Sequence, residues 1–223
     1  MTVEINFRKL KFIFIDFDGT LVDTVPLLFD HYSNFLKKYG QKGTLEEFKS
    51  LMGPAIEEFI PILQARHTLP QNPQELVQVY MQGLDERYKQ EAKLIKGSKE
   101  FLEYAKTLDL TLILVTSTAY PLIEGSLENL DLKKYFNHII TGDKVKKTKP
   151  DPEIYLLALK TCSAKSEEAL AIEDSYNGLL SSMQANIPTI AIQNEHLLKM
   201  PHQVMIIKNW GDLLDQFRNA YEK

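Results

Sequence analysis

The sequence is poor in cysteine and tryptophan, with one of each among 223 residues, Cys162 and Trp210. A single cysteine cannot form an internal disulfide, which is typical of proteins from a reducing cytosol. We expect Cys162 to serve as a small buried apolar side chain on a helix. Trp210 and the aromatic residues of the last helix are expected to pack in the core.

No hydrophobic run approaches the roughly 20 apolar residues that a membrane-spanning helix needs. Basic residues near the N-terminus precede the apolar run Phe12–Ile15, but that run has only four residues and is followed by Asp16. Such a run is too short for the apolar region of a signal peptide. We therefore expect a soluble, cytoplasmic protein that does not act at a membrane.

An excess of positive charge is also lacking, because the formal net charge is −4. This balance argues against nucleic acid as an obligatory partner, which would require a clustered positive potential. Hydrophobic residues make up 44% and charged residues 25% of the chain, which is an ordinary globular composition. The length predicts one large or two small domains, and we expect a monomer or a weak dimer.

Six short apolar runs are typical of strands that are buried on both faces of a parallel sheet. They are Phe12–Ile15, Leu110–Val115, His138–Thr141, Ala169–Ile172, Thr189–Ile192 and Val204–Ile207. Helical patterns alternate with the later runs, at Ser98–Leu108, Pro121–Leu130, Pro152–Thr161 and Tyr176–Ala185. This alternation predicts an α/β fold with right-handed crossovers, a doubly wound Rossmann-like parallel sheet.

The 93 residues from Phe17 to Asp109 interrupt this alternation, although connections usually span only about 2–6 residues. Four helical patterns fill the interval, at Pro26–Tyr39, Leu45–Leu51, Ile56–Ala65 and Pro73–Lys89. The sequence therefore predicts an α-helical cap domain at residues 24–92, inserted into a catalytic core formed by residues 1–23 and 93–223. Hinges are expected near Val22–Thr24 and Ala92–Gly97.

Polar residues follow the carboxyl ends of four predicted strands, where ligands bind in open α/β sheets. In chain order they are Asp16, Asp18, Thr116, Ser117, Asp143, Lys149, Glu173 and Asp174. Carboxylates, hydroxyls and one lysine are the groups that hydrolysis of a phosphate monoester requires. A carboxylate can attack phosphorus, a second one can transfer protons, and a lysine can neutralise phosphoryl oxygens. Mg²⁺, which prefers oxygen ligands, would relieve the repulsion between the carboxylate and the phosphate.

Four segments, in order, resemble the motifs of the haloacid dehalogenase superfamily. They are Asp-Phe-Asp-Gly-Thr-Leu-Val-Asp at 16–23, Val-Thr-Ser at 115–117, Lys-Pro-Asp-Pro at 149–152 and Glu-Asp-Ser-Tyr-Asn-Gly at 173–178. The inserted helices resemble the cap of the subgroup that includes phosphoglycolate phosphatase and β-phosphoglucomutase. The resemblance implies a central first strand that is flanked by the second and the fourth strands of the core.

The resemblance also implies the role of each site residue. Asp16 would be the nucleophile that becomes an aspartyl-phosphate, and Asp18 the general acid and base. Thr116, Ser117 and Lys149 would bind the phosphoryl group. The Mg²⁺ ligands would be Asp16, the Asp18 backbone carbonyl and Asp174, with Glu173 as a ligand or a partner of the ligands. Asp143 could contact the metal or serve a structural hydrogen bond.

These features predict a Mg²⁺-dependent phosphatase that acts on a small phosphorylated metabolite. A phosphomutase is the first alternative, but Leu28 stands where mutases of the subgroup carry a histidine, and His31 lies three residues further on. No arginine follows Gly53 in Gly-Pro-Ala-Ile, where the cap motif usually has one. A dehalogenase would not need Asp18, and an inactive binding module is the remaining alternative. Candidate cap contacts to substrate are Arg66, His67, Arg87 and Tyr88.

Overall fold

A computed structural model describes residues 5–52, 54–193 and 204–222. Its strands in these ranges are β1 (Phe12–Ile15), β2 (Val22–Asp23), β3 (Lys93–Leu94), β4 (Thr111–Val115), β5 (His138–Ile140), β6 (Ala169–Glu173), β7 (Thr189–Ile192) and β8 (Met205–Ile207). Its α-helices are α1 (Val25–Lys38), α2 (Leu45–Ser50), α3 (Ile56–Arg66), α4 (Pro73–Met81), α5 (Leu84–Glu91), α6 (Ser98–Thr107), α7 (Tyr120–Asn129), α8 (Glu153–Thr161), α9 (Tyr176–Gln184) and α10 (Trp210–Tyr221).

The main sheet has six parallel strands in the order β5-β4-β1-β6-β7-β8. As the resemblance implied, β1 lies at the centre between β4 and β6. Successive side chains point to opposite faces of a strand. Ile13 and Ile15 accordingly join one hydrophobic cluster, whereas Phe14 joins a second cluster on the other face.

Helices cover both faces of the sheet, so the predicted doubly wound α/β fold is confirmed. Helices α6 and α10 pack on the first face, where Phe101 and Trp210 have ring centroids 5.0 Å apart. Helix α8 packs on the second face through Ile154 and Tyr155. Trp210 is fully buried, as predicted, whereas Cys162 is half-buried at the end of α8.

Five helices, α1–α5, lie between β2 and β3, which pair in an antiparallel two-stranded ribbon. Val22 pairs with Leu94 and Asp23 with Lys93, so the ribbon brings together the points where the chain enters and leaves the helical insertion. Two-residue strands have little sequence signal, and neither was predicted. The division into a core and a cap domain at residues 24–92 stays a prediction.

The single helix predicted over Pro73–Lys89 is two helices, α4 and α5. Gly83 lies between them with φ at +74°, in the left-handed region that glycine adopts at no steric cost. After this break, α5 packs against α7. Ser126 Oγ donates to the Tyr88 carbonyl at 2.6 Å, and Asn129 Nδ2 donates to the Lys89 carbonyl at 2.8 Å.

Other predicted elements match within one or two residues. One shift affects the site: β6 continues through Glu173, which therefore lies in the sheet and not in the loop after it. No α-helix in the described ranges is long and apolar enough to cross a membrane.

Candidate active site

Lys149 joins two carboxylates at the carboxyl edge of the sheet. Its Nζ lies 2.6 Å from Asp16 Oδ1 and 2.6 Å from Glu173 Oε1, and it also donates to the Val115 carbonyl at 2.9 Å. Burial lowers the pKa of Lys149, but the Asp16 and Glu173 carboxylates more than offset this and raise the pKa above its ordinary value. The raised pKa favours the charged ammonium of Lys149, which lies buried where β1, β4 and β6 end.

Asp174 lies beside this group, directly after β6. Thr20 Oγ1 donates to Asp174 Oδ1 at 3.0 Å, and the Trp210 indole N–H donates to the Thr20 carbonyl at 2.9 Å. Gly19 has φ at +75°, and a Cβ there would lie 2.2 Å from Asp174 Oδ2. The loop after β1 can approach Asp174 this closely only because residue 19 has no side chain.

Asp16, Glu173 and Asp174 form a cluster of buried carboxylates, each with an oxygen within 4.8 Å of the others. Lys149 supplies one positive charge against three acidic groups. Glu173 Oε2 is buried and has no hydrogen-bond partner among the described residues. Buried carboxylates need a compensating charge, and hard oxygen donors are what Mg²⁺ prefers. The residues present therefore fit a divalent cation, and the ligand roles of Asp16, Asp174 and Glu173 stay predictions.

Glu173 also accepts a hydrogen bond from the Tyr155 hydroxyl, 2.6 Å from its Oε1. Burial, and next the nearby Asp16 charge, raise the pKa of Glu173. Tyr155 extends from α8 on the second face of the sheet, and its own pKa is raised by burial and then by Glu173. Nothing in the sequence pattern indicated this contact, because Tyr155 reads as a core aromatic residue of an amphipathic helix.

Asp18 lies outside the carboxylate cluster, and hydroxyl groups hold its side chain. Thr24 and Tyr88 each donate to Oδ1 at 2.7 Å, and Thr118 donates to Oδ2 at 2.6 Å. Burial, followed by the charge of Asp16, raises the pKa of Asp18 despite these three hydrogen bonds. A raised pKa suits a carboxyl group that must deliver a proton near neutral pH. The predicted contribution of the Asp18 backbone carbonyl to a metal site stays a prediction.

Thr116 and Ser117 follow β4, as predicted, and both line the same cavity as Asp16. Thr116 Oγ1 accepts a hydrogen bond from the Thr118 N–H at 3.1 Å. Ser117 Oγ is buried and has no hydrogen-bond partner among the described residues. Thr118 was missed by the sequence analysis, although its place two residues after Thr116, at the end of a strand, could have indicated it.

A cavity of about 400 Å³ lies between the sheet edge and helices α1–α5. Asp16, Asp18 and Lys149 line it from the core. Tyr88 lines it from α5 and is the one predicted cap contact that does so among the described residues. The other three candidates pair elsewhere: Arg66 and His67 with Glu47, and Arg87 with Asp30 and Glu91.

Two further positions bear on the mutase alternative. Leu28 lines the cavity, whereas His31 points away from it and its Nε2 lies 2.5 Å from the Tyr80 carbonyl. Burial lowers the pKa of His31. Gly53, part of the predicted cap motif, lies outside the described residues. Asp143 is not in the carboxylate cluster; its Oδ1 accepts the Tyr120 N–H at 2.8 Å at the start of α7.

Comparison with known proteins places this site in a family. The family model for haloacid dehalogenase-like hydrolases matches residues 13–192. A phosphorylated carbohydrates phosphatase of Thermotoga maritima is 33% identical over 181 residues, covering 81% of this chain and 84% of that protein. A phosphoglycolate phosphatase of Pseudomonas fluorescens is 24% identical, covering 83% of this chain and 70% of that protein.

Solved structures agree with the sequence relatives. The crystal structure of a protein described as a putative β-phosphoglucomutase from Thermotoga maritima has a TM-score of 0.72 and 28% identity, over 94% of this chain and 99% of that one. The matches confirm the fold class and the phosphatase-type enzyme that the four motifs predicted. The chain therefore belongs to the haloacid dehalogenase-like hydrolases, and it is an enzyme of the phosphatase or phosphomutase kind.

Proposed function

We propose that this protein is a Mg²⁺-dependent phosphatase that hydrolyses a small phosphorylated metabolite through an aspartyl-phosphate on Asp16. One observation carries the proposal: Asp16, held by the Lys149 ammonium, and Asp18, with its raised pKa, line one end of the same cavity. The proposed nucleophile, Asp16, and the proposed acid, Asp18, thus lie two residues apart in the loop after β1. The name of the Thermotoga phosphatase suggests phosphorylated carbohydrates as first substrates to test.

The reaction proceeds in two displacements. The Asp16 carboxylate attacks phosphorus, and the bond to the leaving oxygen breaks as Asp18 donates its proton to that oxygen. Asp18, now ionised, removes a proton from water, and the water oxygen attacks the phosphorus of the acyl phosphate. Inorganic phosphate leaves, and the Asp16 carboxylate and the Asp18 proton are restored. Lys149 and the free Ser117 hydroxyl stabilise charge on the phosphoryl oxygens.

Asp16 and Asp174 would hold Mg²⁺, with Glu173 beside them. The bound cation would supply the charge that lets an anionic carboxylate approach an anionic phosphate. The protein's own part is to keep these oxygens together: Thr20 orients Asp174, and Tyr155 and Lys149 orient Glu173.

Hydrolysis is favoured over the mutase reaction by the cavity wall. A mutase must return the phosphoryl group to a second position of its substrate and keep water away meanwhile. The position that mutases of the subgroup give to a histidine is the apolar Leu28, and the hydrogen bond to Tyr80 holds His31 elsewhere. Water is therefore the expected acceptor of the phosphoryl group from Asp16.

Asp16→Asn tests the proposal, because a neutral amide is a poor nucleophile. We expect phosphate release with Mg²⁺ to fall by at least about a thousandfold, with an unchanged circular dichroism spectrum. Asp215→Asn, an exposed position on α10, is the matched control and should keep full activity. Acid quenching of the wild type with a ³²P-labelled substrate should trap label on the peptide that contains Asp16. An Asp16→Asn variant within tenfold of wild type would contradict the nucleophile assignment.

A further inference from the structure

The wall of the cavity opposite the catalytic groups is apolar. Side chains from all five helices of the insertion line it, namely Leu28, Phe48, Ile56, Phe59, Met81 and Leu84. On the core side, Ala119, Leu122 and Val145 continue this surface. Binding apolar groups of a ligand against such a wall is favourable, whereas hydroxyl groups would lose hydrogen bonds to water there.

The charges that line the cavity away from the catalytic cluster are mostly negative. Glu57 and Glu58, both exposed in the first turn of α3, are the only charged residues that the described part of α1–α5 contributes to the lining. Asp143 adds a third carboxylate from the core, against one exposed ammonium at Lys146. The described part of the insertion therefore offers no cation to a second anionic group of a substrate.

The size of the cavity limits the substrate further. A volume of about 400 Å³ is at the lower end of the usual range for small-molecule pockets, about 300–1,000 Å³. It accommodates a phosphate and an organic group of about the size of an aromatic ring. Phe48 and Phe59 both line this space and could pack against such a ring.

We infer that the preferred substrate is a phosphate monoester with one anionic group, whose organic part is uncharged and largely apolar. This inference rests on the proposed function, and it favours apolar esters over the phosphorylated carbohydrates that the name of the Thermotoga phosphatase suggests. The apolar wall binds the organic part, and the carboxylates at Glu57, Glu58 and Asp143 disfavour esters that carry a carboxylate or a second phosphate.

Matched esters test the inference through kcat/KM with Mg²⁺. Benzyl phosphate, 2-hydroxyethyl phosphate and 2-phosphoglycolate release alcohols of similar acidity but differ in apolar area and charge. We expect benzyl phosphate to exceed 2-hydroxyethyl phosphate by about ten- to a hundredfold, as burial of a ring of this size predicts. We expect 2-phosphoglycolate to be the poorest of the three. Equal or better turnover of 2-phosphoglycolate, or of glucose 6-phosphate, than of benzyl phosphate would overturn the inference.

Two variants test the charge argument separately. Met81→Lys, at a half-buried wall position, should raise the kcat/KM ratio of 2-phosphoglycolate to 2-hydroxyethyl phosphate about tenfold, and Met81→Gln should not. The double variant Glu57→Gln/Glu58→Gln, at exposed positions that do not threaten folding, should raise the same ratio about threefold. If neither Met81→Lys nor Glu57→Gln/Glu58→Gln changes the kcat/KM ratio of 2-phosphoglycolate to 2-hydroxyethyl phosphate, the charge of the cavity wall does not select the substrate.

Binding without turnover separates this inference from the proposed function. Benzylphosphonate and phosphonoacetate cannot be hydrolysed, and their binding can be measured by calorimetry. We expect benzylphosphonate to bind at least about tenfold more tightly. If no ester is hydrolysed, the proposed function fails, and the two phosphonates still decide the ligand class. Tighter binding of phosphonoacetate would overturn the inference even if the enzyme is an active phosphatase.

Discussion

At the scale of single residues, the helical insertion contributes to the proposed reaction through a hydrogen bond to Asp18. Tyr88 lies on α5, yet its hydroxyl donates to Asp18 Oδ1 at 2.7 Å, and both side chains are largely buried. Burial, followed by the Asp18 charge, raises the pKa of Tyr88 well above its ordinary value, so the phenol remains a donor. Tyr88 is therefore a positioning residue for the proposed acid and base.

Tyr88→Phe removes one hydrogen bond that stabilises ionised Asp18. We expect kcat to fall about 10- to 150-fold, the equivalent of about 1.5–3 kcal/mol for a hydrogen bond to a charged group. The pKa of Asp18 should rise further, because the lost bond lowered it. The first displacement needs protonated Asp18, so the fall of kcat/KM at high pH should move to higher pH.

Tyr104→Phe is the control for this prediction. Tyr104 donates to Glu222 at the surface of α6, 3.1 Å away and outside the cavity lining. Tyr104→Phe should change neither kcat nor the pH profile of kcat/KM. If Tyr88→Phe lowers kcat but leaves the pH profile of kcat/KM unchanged, the role of Tyr88 is purely structural.

At the scale of elements, Glu47 ties three helices of the insertion together. Its carboxylate accepts from the Tyr32 hydroxyl of α1 at 2.5 Å and lies 3.0 Å from His67 Nε2 at the end of α3. Arg66 Nη1 lies 3.7 Å from Glu47 Oε1. Burial opposes ionisation of Glu47, but the bonds from Tyr32 and His67 outweigh it and lower the pKa below the ordinary value of 4.5.

A lowered pKa in the folded state means that ionised Glu47 contributes stability at pH values above 4.5. That contribution is lost as the pH falls through the lowered value. We expect Glu47→Gln to reduce the free energy of unfolding by about 1–2 kcal/mol at pH 7. The difference from wild type should shrink on acidification below about pH 4.5, as urea titrations at several pH values would show.

The neighbouring exposed Glu46, in the same first turn of α2, provides the control. Glu46→Gln removes the same charge without the contacts and should change stability by less than about 0.5 kcal/mol. A Glu47→Gln effect that is independent of pH would show that packing, and not the ionised carboxylate, is responsible.

At the scale of the whole molecule, the buried cluster of Asp16, Glu173 and Asp174 couples stability to the proposed cation. Three acids against the single Lys149 ammonium are costly to bury, and a bound divalent cation would offset that cost. Mg²⁺ at about 100 times its Kd should stabilise the fold by about 2.7 kcal/mol. For a chain of this length, the melting temperature should rise by about 5–10 °C.

Asp174→Asn should remove at least half of that rise, because it takes one charged ligand from the cluster. Asp143→Asn, which alters a carboxylate at the same sheet edge but outside the cluster, should keep the full response. Differential scanning calorimetry with EDTA and with Mg²⁺ measures both. Equal shifts in the wild type and Asp174→Asn would contradict the metal role of Asp174.

Much of the architecture could be predicted from local pattern. The strands that form the sheet are short apolar runs, and their polar ends carry Asp16, Lys149 and Asp174 in positions that parallel pairing must bring to one edge. The sequence by itself therefore determined the α/β core, the helical insertion and the polar residues that meet at the sheet edge, since each depends on residue order and on the burial of both faces of the sheet.

Contacts between distant elements were decided only by the tertiary structure. The Tyr88 hydroxyl reaches Asp18 across 70 positions of sequence, and Tyr155 reaches Glu173 from the opposite face of the sheet. Both depend on how a helix packs against the rest of the molecule, which no local sequence pattern specifies. The apolar cavity wall is likewise formed by side chains from separate helices. Whether the wall is apolar or polar depends on which face each helix turns toward the cavity. That orientation is set by the packing of the whole molecule.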